Sequence, residues 1–172
     1  MLSVALAEAT PMNFWILKSE PDVYSIDDLK RDSKTLWSGV RNYQARNFMR
    51  DSMKIGDQVL FYHSNAEVPG IAGLGTVASE AQADQTAFDS KSPYFDSTSN
   101  RENPRWLCVE VAFVEKFANI LSLEKIKTLD QLKDLIILRK GNRLSITPVT
   151  EKEFRFILMK CSTAKQTTLT KA

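Results

Sequence analysis

Four apolar runs limit what this chain can fold into. They are "NFWILKS" (Asn13–Ser19), "QVLFYHS" (Gln58–Ser64), "IAGLGTVASEA" (Ile71–Ala81) and "RWLCVEVAFVEKF" (Arg105–Phe117). Their aliphatic and aromatic content and short length read as strands. The glycines of the third run point to bends or to close backbone approach. The gaps between the runs are unequal and hold short helical patterns. A parallel α/β sheet needs regular strand–helix alternation, so these runs point instead to an α+β domain on a curled, barrel-like sheet.

The inserted helices have their own signals. "SIDDL" (Ser25–Leu29) carries a serine with an aspartate three residues on, a variant of the capping box. "RNYQARNFMRDSM" predicts a second helix, with Ala45, Phe48, Met49 and Met53 on a core face and Tyr43, Arg46, Asn47 and Arg50 on another. "SLEKI" and "LDQLKDL" predict short helices. A final helix over Thr150–Lys160 sets Phe154, Ile157 and Leu158 at core spacing. With 172 residues, one domain over residues 13–162 is expected, between a disordered leader (1–12) and a flexible tail (163–172). The leader lacks the basic region of a signal peptide.

Composition excludes several classes. Hydrophobic content of 43% and charged content of 26% describe a soluble globular protein. No apolar run is long enough to span a bilayer, so no membrane partner is expected. Cys108 and Cys161 stand far apart without ligand spacing, which argues against structural zinc or a disulfide scaffold and suits a reducing, cytoplasmic compartment. A monomer is expected. Net charge is only +2, too balanced for indiscriminate nucleic-acid binding. Bases crowd Lys30–Lys54 and acids crowd Glu80–Glu102, and two such lobes would orient an anionic ligand.

The candidate chemistry lies between Lys18 and Ser64. Trp37, Ser38, Gly39, Val40, Arg41 and Asn42 place an aromatic, a glycine that lets backbone approach closely, and an arginine–asparagine pair side by side. That combination suits a flat heterocycle, through stacking and edge hydrogen bonds. A core tryptophan beside a helix start, with Asn42 as its cap, fits the same residues equally well. Lys18, Ser19 and Glu20 put a donor, a mixed group and an acceptor at a strand exit. Pro21 splays Glu20 and Asp22 apart, so they do not read as a carboxylate pair. Arg46 and Arg50 could track phosphates, although such stripes are more often solvated faces. His63 is the only histidine, and on its own reads as a structural one. "GIAGLG" has the wrong spacing for a dinucleotide fingerprint and no helix after it. The polar connection from Asp84 to Pro104 carries one aromatic pair, Tyr94-Phe95, and at that length reads as functional or disordered.

In order and spacing, "WILKSEPDVYSIDDL", "WSGVRNYQARNFMR", "KIGDQVLFYHS", "GIAGLGTV", "PYFD" and "PRWLCVEV" resemble the EVE domain of the PUA-like superfamily. The resemblance covers nearly the whole chain after the leader. It implies a PUA-like curled β-barrel with peripheral helices and a non-catalytic pocket that reads a modified base in DNA or RNA, modified cytosine above all, without cofactor or metal. It maps that pocket onto Lys18, Ser19 and Glu20; onto Trp37, Gly39, Val40, Arg41 and Asn42; and onto Tyr62, His63 and Ser64, with Tyr94 as a lid. A rival on the same scaffold is a nucleotide or base hydrolase using Glu20 or His63 as general base. A free-nucleoside sensor is the third possibility.

Overall fold

A computed structural model describes residues 11–169 of the chain, with side chains through Ser162. The expected leader falls mostly on residues 1–10, outside the described residues. Eight strands form the frame: β1 (Phe14–Ser19), β2 (Lys34–Leu36), β3 (Gln58–His63), β4 (Gly70–Val77), β5 (Gln82–Ala83), β6 (Leu107–Cys108), β7 (Glu110–Ser122) and β8 (Ile146–Val149). Six of them form one sheet in the order β2-β7-β4-β3-β1-β8, and β5 pairs with β6 apart from it. Only β1 and β3 run parallel; every other pairing is antiparallel.

The central strands are buried on both faces, which is why their sequences are continuous apolar runs rather than alternating ones. Trp15, Leu17, Val59 and Phe61 face one core, under α1 (Ile26–Asp32) and α2 (Tyr43–Asn47). Ile16, Leu60 and Tyr62 face a second core, closed by α3 (Leu123–Lys127) and α4 (Glu151–Leu169). Gly73 shows why β4 needs its glycines. A Cβ there would lie 2.5 Å from the Glu115 carbonyl and 2.6 Å from Ile26 Cδ1. The register shifts twice along this stretch, which curls the sheet.

Three local expectations need refinement. The second helix is α-helical only to Asn47 and continues as a π-turn over Phe48–Ser52. The long strand expected over Arg105–Phe117 is interrupted at Val109, where the chain leaves β5 and joins the large sheet, and it then runs on to Ser122. The last helix, expected to end at Lys160, extends to Leu169. The capping box is complete: Ser25 Oγ accepts from the Asp28 amide, and Asp28 accepts from the Ser25 amide at 2.8 Å.

Candidate functional site

The ends of β1, β3 and β8 stop side by side. The Ser64 amide donates to the Ser19 carbonyl at 3.0 Å and the Lys18 amide to the Ser145 carbonyl at 2.8 Å. Across from these ends the chain leaves β2 through Trp37, Ser38 and Gly39. Between the two walls lies a cavity of about 600 Å³, within the size range of small-ligand sites. It is lined by Lys18, Ser19, Glu20, Trp37, Gly39, Val40, Arg41, Ser64 and Tyr94 from the sequence-based set. Val23, Leu36, Ser38, Arg143 and Ser145 complete much of the rest.

Three expected residues stand elsewhere, each for a local reason. Asn42 caps α2, its side-chain oxygen accepting from the Ala45 amide at 3.0 Å. Tyr62 points to the second core, because side chains alternate along β3, and the Lys18 ammonium lies 5.8 Å from its ring centre. His63 faces the first core. Its Nε2 accepts from the Ile26 amide at 3.1 Å, and its ring meets Phe61 edge-on. Burial pushes the His63 pKa below its ordinary value, against a smaller opposing pull from Asp27. Of Trp37, Arg41, Tyr62 and His63, the first two border the cavity and the other two do not.

Arg41 lines the cavity with its donors already engaged. Its Nε and Nη2 donate to the Tyr94 carbonyl, Nη1 to the Val40 carbonyl and to Asp84, and Nη2 also to Thr86 Oγ1. Those bonds use all five guanidinium N–H groups. Asp84, with its side chain fully buried, is equally saturated. Besides Arg41 at 2.8 Å it accepts from the Gly39 amide at 2.8 Å and from the amide and hydroxyl of Thr86. Burial alone would raise the Asp84 pKa, but the Thr86 hydroxyl, Arg41 and the two amides outweigh it and hold the carboxyl below its usual range. The basic and acidic lobes thus meet, and their contact builds a wall. The sequence reading missed Asp84, since its partner lies 43 positions upstream.

That wall carries Tyr94. Arg41 lies 5.7 Å from the Tyr94 ring centre and 5.3 Å from that of Trp106, which stacks on Tyr43. Gly39, at φ +80°, lies directly under Tyr94, and a Cβ there would stand 2.8 Å from the ring. Trp37 is 8% exposed and packs edge-on against Phe61, so its ring belongs mainly to the core. Its indole N–H has no hydrogen-bond partner among the described residues and is not sealed from solvent. Arg46 donates to Asn47 Oδ1 and the Arg105 carbonyl, and Arg50 pairs with Asp51. Neither Arg46 nor Arg50 lines the cavity.

Comparison with known proteins places this architecture. Residues 13–160 match the EVE domain family. Thymocyte nuclear protein 1 of Gallus gallus is 44% identical over 163 residues, covering 84% of this chain and 66% of the relative. The Homo sapiens protein is 42% identical, covering 84% of this chain and 72% of the relative. A hypothetical protein from Leishmania major superposes with a TM-score of 0.86 at 42% identity, covering 90% of this chain and 98% of that one. Human THYN1 in complex with 5-methylcytosine-containing DNA superposes with a TM-score of 0.82 at 40% identity, covering 87% and 97%. With that span matched and the same curled sheet shared, the chain belongs to the EVE domain family and has its PUA-like fold.

Proposed function

We propose that this protein is a non-catalytic reader of a modified base in nucleic acid, with modified cytosine in DNA as the favoured ligand. The observation that carries the reading is its kinship with a human protein crystallised with 5-methylcytosine-containing DNA. The cavity suits such a ligand. A base turned out of its strand enters a pocket that must pair its edge groups, because each buried orphan costs about 1–3 kcal/mol. Among the described residues the Glu20 carboxylate accepts only a 3.3 Å bond, from Asn65, and it has capacity for a cytosine amino group. The Trp37 indole N–H supplies a donor. Val23, Leu36 and Val40 supply apolar surface for a methyl group, whose discrimination is worth about 1–3 kcal/mol.

A hydrolase reading finds less support. His63 is engaged with the Ile26 amide and does not line the cavity. Burial, helped by the charge of Asp84, pushes the Cys108 thiol up to about 12. Glu20 is the one carboxylate among the lining residues. The test is a titration of the purified protein with oligonucleotides carrying one cytosine or one 5-methylcytosine, and with the free nucleosides, while products are followed by mass spectrometry. Preference for the modified oligonucleotide without turnover is expected. Equal affinity for both oligonucleotides would sink the reader. Product formation would promote the hydrolase, and tighter binding of free nucleoside the sensor.

A further inference from the structure

The cavity's three cations divide into two kinds. Arg41 is balanced by Asp84 and has no N–H left to donate. Lys18 and Arg143 also line the cavity, and neither has an ion pair or side-chain hydrogen bond among the described residues. Lys18 is only partly exposed, and burial lowers its pKa from the ordinary lysine value, so an unpaired ammonium here carries a cost. Beside these two cations stand the hydroxyls of Ser64 and Ser145, which make no hydrogen bond among the described residues. With Arg41 neutralised, the lining retains two positive charges against Glu20. A neutral base requires no cation of this sort, whereas an anionic group does.

The structure assigns Lys18 and Arg143, with the hydroxyls of Ser64 and Ser145, as a subsite for the phosphodiester next to the everted base. The inference rests on the reader proposed above and moves the phosphate contact from Arg46 and Arg50 into the cavity. Its chemistry is simple: a compact anion meets an ammonium and a guanidinium at the strand ends, in charge-assisted hydrogen bonds. Because a phosphate carries no sequence information, this subsite sets affinity and register and leaves base choice to the rest of the pocket.

The test uses oligonucleotides with one 5-methylcytosine, or one cytosine, whose 5′ or 3′ linkage is either an ordinary phosphate or a neutral methylphosphonate. Each is titrated against the wild type, Arg143→Gln and Lys18→Gln, with circular dichroism to check the fold. The wild type should lose about three- to ten-fold in affinity when one of the two linkages is neutral. Arg143→Gln should lose a similar factor on the charged strand and almost nothing further on the neutral one. Its ratio of affinities for modified and unmodified base should match the wild type's. Arg143 is exposed, so this variant is expected to fold. An Arg143→Gln loss equal on charged and neutral strands, or no wild-type loss with either neutral linkage, would overturn the subsite. A wild type that responds to the linkage but not to the methyl group would retain the subsite and remove the reader. Tighter binding of free 5-methyldeoxycytidine monophosphate than of any oligonucleotide would overturn the diester in favour of a mononucleotide.

Discussion

Asp84 braces the stretch of cavity wall that carries Gly39 and Arg41, and its pairing with Arg41 is not marked in its sequence neighbourhood. Changing it to Asn replaces an acceptor oxygen by an amide donor that faces other donors, and leaves Arg41 without its counter-charge. Breaking a buried pair in this way costs about 3–5 kcal/mol, so Asp84→Asn should lower the urea midpoint markedly. A change below about 1 kcal/mol would show that the network is not needed for the fold. His63 makes the second prediction. Its folded pKa lies below the unfolded value of about 6.5, so its contribution is fully present above that value and lost as pH falls below it towards the folded pKa. The melting temperature should fall between about pH 7.5 and about pH 5.5, and His63→Gln should flatten that fall. A wild-type curve flat across the window would contradict the neutral acceptor role. The cavity was legible where its residues stand together, as at Lys18–Glu20 and Trp37–Arg41. It was not legible at Arg143, which reaches the site only because β8 pairs with β1.

At the level of elements, local signals and their outcomes agree where the signal is short-range. Ser25 and Asp28 sit three apart and form the expected box, so Ser25→Ala should cost about 1 kcal/mol by chemical denaturation. The interruption at Val109 could not be read from "RWLCVEV", because the strand's partners change there from β5 to β2 and β4, all distant in sequence. The turn after β2 gives a further prediction. Gly39→Ala should weaken base binding by at least ten-fold, since the methyl group displaces Tyr94, and the left-handed backbone adds about 1–2 kcal/mol of strain. In a Tyr94→Ala background the same change should affect stability less, with only the strain remaining. Equal stability losses in both backgrounds, measured by denaturation, would show that ring and glycine do not couple.

Over the whole molecule, one sheet separates two cores, and the cavity opens where strands of that sheet end. Rigid strand ends make a more exact site than a loop does, and the wall opposite is braced by Asp84. The small net charge of +2 predicts a shallow salt dependence, with a slope of log affinity on log salt of about −1 to −3 rather than the steep slope of a protein that tracks many phosphates. A slope steeper than about −5 would mean a much larger contact surface than the cavity and its rim. Trp15 donates to Asp57 inside the first core, and Trp106 donates to Asp96 while stacked on Tyr43, so both indoles are fixed by the fold. Trp37 alone of the three borders the cavity. The protein therefore contains its own optical gauge: a base entering the cavity should change the fluorescence of one tryptophan against a steady background from the other two, and occupancy can be followed without attaching a dye.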